Sequence, residues 1–216
     1  MGLFSFFKAR SPDELKQEIV TKIVFSCLHY SQELNRTDNK TSTIWRQGEP
    51  RHLCAHAGME VAHLLLHQLD VLAFQILGAS KRNEVFDWVS FRVIHDYVNA
   101  IINKDSPTEL VEALTEKMID GVNNRQMIYA QCDSFRGEAE LVPQAGSQIF
   151  AFSFFVHREL EKTKRDDVED ILTGVRKLER SDSCDFPDLA AMTEDLIIMN
   201  SITLNVEFEP LLEKLK

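Results

Sequence analysis

Four residues on one face of one predicted helix carry the chemistry this chain offers most plainly: His56, Glu60, His63 and His67. Neutral imidazole and carboxylate are ligands for Zn, Fe or Mn, and side chains three or four positions apart on a helix reach a common ion. His52/His56 and His63/His67 are His-x-x-x-His pairs, and Glu60/His63 is a Glu-x-x-His pair of the kind used in carboxylate-bridged bundles. At helical rise His52 and His67 are about 22 Å apart, so only His56, Glu60, His63 and, at the margin, His67 share an ion. Further ligands would come from other helices, where each remaining histidine sits near an acid: His29 by Glu33, His95 by Asp96, and His157 by Glu161. Two of these facing the stripe would make a dinuclear site, and with it a metal-dependent hydrolase or oxidase. The same stripe is also what the edge of an otherwise buried helix looks like, its imidazoles hydrogen-bonded to neighbours or water. A third reading is a pH-sensitive face, because histidine titrates nearest neutrality.

The helix that must hold this stripe spans about 51–78. On a helical wheel His52, His56, Glu60, His63, His67 and Asp70 fall within about 80°, while Leu53, Val61, Leu64, Leu65, Leu69, Val71, Leu72 and Ile76 cover most of the rest. Such a helix belongs in the interior, and Gly78 ends it. Before it, Ser11-Pro12-Asp13-Glu14 is a capping box opening a helix to about Asn35, and 36–50 reads as a loop anchored by Ile44 and Trp45. After it, the apolar spacing from Val85 to Ile102 predicts a helix over about 83–103. Ser106-Pro107-Thr108-Glu109 repeats the first start signal for a helix to about Cys132, with a kink expected near Gly121 and Asn123-Asn124. A loop over 134–147, helices beginning near Ile149, Asp166 and Pro187, and a short terminal helix from Pro210 complete the chain. The nearest strand-like piece is Ile202 to Phe208. The expected fold is all-α: one domain over 11–216, a bundle of six to eight mostly antiparallel helices around the buried one, with an apolar segment, 1–10, packed on it.

Charge narrows the partners. With 34 acidic against 24 basic residues the formal charge is −10. No Lys/Arg block exists for nucleic acid or an anionic membrane surface. The N-terminus has too few apolar residues for a signal peptide or membrane span, and Phe6 stands where a myristoylation signal wants Ser or Thr. Cys27, Cys54, Cys132 and Cys184 have no CxxC spacing and read as reduced, buried thiols, so a cytoplasmic protein is expected.

Other catalytic signatures are missing. No Gly-x-Ser-x-Gly elbow and no phosphate-binding glycine loop occur among eight glycines. Cys54 points about 160–200° away from His52 and His56 on a helix, which removes an activated Cys-His pair. His95-Asp96, with the upstream His67, resembles the His…His-Asp…Asp arrangement of HD-domain metal phosphohydrolases at those positions alone. Tyr97-Val98-Asn99 follows where that family has an apolar residue and a glycine, and no final Asp can be assigned, so no family is claimed. Arg125, Gln126 and Tyr129, with Asn123 and Asn124, make a polar cluster that suits either a pocket or a solvated helix face. The leading expectation is therefore a protein acting by binding another protein or itself, with Phe4, Phe6, Phe7 and Trp45 as apolar material outside the periodic helices. The rival is the metal protein built on the His/Glu stripe.

Overall fold

A computed structural model describes residues 10–36, 50–102, 106–134 and 204–216; the side chains of 33–36, 50–57, 117, 131–134 and 204–205 lie outside that description, as does the rest of the chain. The described residues are helical, without a strand, so the class is all-α. Helix α1 is Pro12–Arg36. Its start is the expected capping box: the Glu14 amide donates to Ser11 Oγ at 3.2 Å and the Ser11 amide to Glu14 Oε2 at 2.7 Å. Leu15, Ile19, Ile23, Cys27 and Tyr30 recur at three- and four-residue spacing and are buried. Lys16 is buried among them, its ammonium held by Asp13 at 2.8 Å and lying 5.1 Å from the Trp88 ring centroid.

Helix α2, Pro50–Ile101, contains the stripe and is not straight. Gly78 has φ 75° and ψ 169°, outside helical values. In a straight helix Asp70 and Arg82 would stand about 18 Å apart, yet their side chains form an ion pair. Gly58 likewise lies against Tyr97. The chain therefore reverses at Gly78 into an antiparallel hairpin of two arms, 50–77 and 79–101. The sequence places the break correctly, but the second arm resumes helix at once instead of near Asn83. Its φ lies in the left-handed region that favours glycine, and a Cβ there would meet nothing within 4 Å. Gly78→Ala is accordingly expected to cost about 1–2 kcal/mol of backbone strain alone, read by urea unfolding; an unchanged midpoint would contradict this geometry.

The middle of the first arm is the interior of the described bundle, whereas toward its end Phe74 and, against the sequence expectation, Val71 are exposed where the arm runs past its neighbours. Every residue from Gly58 to His67 is buried, packed between α1, the second arm and the next helix. Half of an apolar window within Gly58–Ile101 is buried, although that stretch is long and apolar enough, by length and composition alone, to cross a membrane. Core helices meet the same test.

Helix α3 is Thr108–Ser134, helical through Gly121 and Asn123-Asn124 where the sequence suggested a kink. Its first amide bonds run from Leu110 and Val111 to the Pro107 carbonyl, so the second Ser-Pro-x-Glu does not reproduce the first cap. Helix α4, Glu209–Leu215, follows a wide π-helical turn at Leu204–Phe208 and buries Leu211, Leu212 and Leu215. The described part of the strand-like Ile202 to Phe208 is thus helical. Lys22 of α1 reaches Glu207 at 2.7 Å. The predicted N-terminal apolar segment, the two long loops and the helices near 149, 166 and 187 lie outside the described residues.

Cys27 is a buried free thiol, as its type suggested. Burial pushes its pKa well above the usual thiol range. Iodoacetamide is expected to spare Cys27 in the native protein and to modify it in urea, as mass spectrometry of the peptide would show; rapid native labelling would contradict the packing of α1.

Candidate functional site

The stripe residues meet α3. Glu60 is fully buried, and a buried carboxylate requires a cation. Arg125 supplies it with a two-pronged contact: Nε donates to Oε2 at 2.9 Å and Nη2 to Oε1 at 2.6 Å. One turn on from Glu60, His63 is buried and its Nδ1 lies 3.4 Å from Glu60 Oε2. An ionised carboxylate only accepts, so Nδ1 carries a proton toward Glu60 and Nε2 is the nitrogen that faces away from it. That Nε2 is buried without a hydrogen bond, facing Gly121, 3.5 Å from where a Cβ would stand. His67, next along the stripe and also buried, places Nδ1 2.9 Å from Gln126 Oε1, and its ring tilts against Tyr129 at 5.6 Å.

Burial alone would raise the Glu60 pKa. The Arg125 and His63 charges and their hydrogen bonds outweigh burial and hold the carboxyl well below the usual range. The cluster is therefore an internal ion pair with an imidazole attached, and both Glu60 oxygens are engaged by protein donors. An ion ligated by Glu60 would have to displace a guanidinium.

The other candidate ligands lie elsewhere. His29 is exposed and stacks on Phe25, one turn away on α1. His95 is on the second arm of α2, beside Asp96 at 3.1 Å and stacked on Phe91; Asp96 also pairs with Arg92 at 3.3 Å. Asp70, at the end of the stripe, pairs with Arg82 across the hairpin. The side chain of His56, and His157 and Glu161 altogether, lie outside the described residues. Among the described residues no three His, Cys, Asp or Glu side chains are grouped to hold a metal ion. Asn123 and Asn124 of the α3 cluster are exposed, whereas Arg125, Gln126 and Tyr129 face the stripe. The pairing of Arg125 with Glu60 is what sequence reasoning missed, and a signal existed: a buried stripe with an acid and no Lys or Arg must receive its cation from another element.

A second feature was not anticipated. The second arm of α2 and the first half of α3 enclose an open groove of about 800 Å³. Phe91, Ile102, Val111 and Ile119 give it a mostly apolar floor. His95 and Asn99 stand on the α2 wall, and Glu112, Glu116 and Asp120 form the α3 wall. Those three acids recur every fourth residue, hence on one side of α3. Among the described residues no Lys or Arg lines the groove.

Comparison with known proteins finds no matching family, no matching curated protein and no matching solved structure. Function must therefore be read from the geometry.

Proposed function

We propose that this chain is an interaction protein, binding another polypeptide or a second copy of itself, and that the groove between α2 and α3 is its binding face. The observation that carries this reading is the open apolar floor with a half-exposed Phe91, in a molecule whose most reactive-looking residues are fastened to one another inside the core. Exposed apolar surface in a concave site is where partners dock, whereas a sealed ion pair has no access to substrate. The full chain is proposed as a cytoplasmic, single-domain bundle of six to eight mostly antiparallel helices around the first arm of α2. Replacement of Glu116 by p-benzoylphenylalanine tests the binding face. Irradiation in extracts of the source cells is expected to give a covalent adduct with a polypeptide, absent when the probe sits at exposed Thr21 on α1. No adduct from position 116, together with a strict monomer by multi-angle scattering, would overturn the reading.

One observation favours a second reading. His63 has its Nδ1 held by a carboxylate and its buried Nε2 without a partner, which is how an imidazole is oriented to ligate a metal. On that reading Glu60 orients the ligand instead of ligating, and His63 with His67 begins a site for Zn, Fe or Mn. Elemental analysis of protein purified without chelator decides it: stoichiometric metal lost in His63→Ala supports the site, and metal well below stoichiometry removes it.

A further inference from the structure

We infer that the occupant of the α2–α3 groove is a basic amphipathic helix of about three turns from a partner protein. The inference rests on the interaction reading above and adds the chemistry of the partner.

Length comes first. Phe91, His95 and Asn99 follow one face of the second arm and Ile102 lies just past its end, together spanning about 16 Å. Glu112, Glu116 and Asp120 run about 12 Å along α3. Both walls are helical, so a third helix laid between them would present rows of side chains at matching pitch, as helices do when they pack. A wall of about 16 Å matches about eleven residues of helix.

Composition comes next. The floor side chains Phe91, Ile102, Val111 and Ile119 call for apolar anchors at i, i+3, i+4 and i+7. Charge sets the rest. Like charges four residues apart on a helix repel one another, and α3 carries two such pairs in succession. Among the described residues none of the three carboxylates has an ion-pair partner, and no cation lines the groove. Lys or Arg at i+2, i+6 and i+10 of an incoming helix, beside its apolar face, would meet that row, whereas an acidic or neutral helix would leave it unmatched. His95 on the opposite wall is half-exposed and lies 3.1 Å from Asp96.

The test uses the full chain and a synthetic twelve-residue helix with Leu at the anchor positions and Lys at i+2, i+6 and i+10. The expected result is saturable fluorescence-anisotropy binding that weakens about tenfold or more in E112Q/E116Q/D120N, a variant whose exposed substitutions leave the melting temperature at or slightly above the wild-type value. Binding should also weaken as salt rises. Equal binding of a peptide with the same composition in scrambled order, or binding indifferent to the triple variant, would overturn the inference. A photo-cross-link from position 116 to an acidic partner segment, or to a second copy of this chain, would overturn the basic helix while leaving the interaction reading standing. A cross-link to this chain's own residues would overturn both, by showing a groove filled from within.

Discussion

Arg125→Ala is expected to lower stability by about 3–5 kcal/mol, the cost of leaving a buried charge without its partner. Glu60 has no exposure to recover solvation, and its remaining neighbour, His63, contacts it at a long 3.4 Å. Replacing both ends should cost much less. Glu60→Leu with Arg125→Met removes the charge and its cation together, so the double variant is expected to be more stable than Arg125→Ala. Urea unfolding at neutral pH reads this, and equal loss in both variants would contradict the ion pair as the fastening between α2 and α3. The pH dependence has a definite sign. The folded Glu60 pKa lies below that of the unfolded chain, so its contribution is complete above the ordinary carboxylate pKa of about 4.3. It is lost as pH falls through the folded value. The stability advantage of wild type over Glu60→Gln should accordingly be level between about pH 5 and 7 and shrink below about 4.

Gly58→Ala is the second large effect, expected at about 1–3 kcal/mol of destabilisation. A Cβ at this position would stand 2.2 Å from both Ser31 Oγ and the Tyr97 hydroxyl and 2.9 Å from the Cys27 carbonyl. Here α1 and the two arms of α2 cross. Ser31 Oγ donates to the Cys27 carbonyl at 2.9 Å and lies 3.2 Å from the Tyr97 hydroxyl, and Tyr97 is fully buried, so none of the three can swing aside freely. Alanine gains about 1 kcal/mol of helix propensity over glycine, which offsets part of the clash. Removing one obstructing atom should recover more: Gly58→Ala with Tyr97→Phe is expected to be more stable than Gly58→Ala alone. Thermal melts of the three variants check this, and a Gly58→Ala protein as stable as wild type would mean that the arms stand further apart.

What the sequence made legible was local. The capping box at Ser11, the apolar spacing of α1 and the break at Gly78 are each written in neighbouring residues, because capping hydrogen bonds and left-handed backbone are decided within a turn. The burial of residues 58–67 was legible for the same reason, since apolar side chains surround all but the stripe there; the exposure of Val71 was not, because it depends on where the neighbouring helices end. The direction of the chain after Gly78 was not. A glycine in the left-handed region can end a helix or turn it back, and only the meeting of Asp70 with Arg82 and of Gly58 with Tyr97 tells these apart. The stripe was recognised as chemically odd, but its partner was a choice between helices. Arg125, Gln126 and Tyr129 occur at i, i+1 and i+4 on α3, a spacing compatible with solvent or with the interior, and burial of Glu60 decides for the interior. The groove had a weaker signature, since an acidic row on a helix is usually a solvated face. Its meaning depends on Phe91 and Ile102 lying opposite, across the turn after the second arm.

The stripe fastens α2 to α3 through Glu60 and Arg125, and the groove is the proposed binding face. The most direct measurement is the yield of the photo-cross-link from position 116, compared between wild type and His63→Ala at a temperature where both are folded. The account predicts a lower melting temperature for His63→Ala with an unchanged cross-link yield. An unchanged melting temperature with the cross-link lost would place function in the stripe and contradict it.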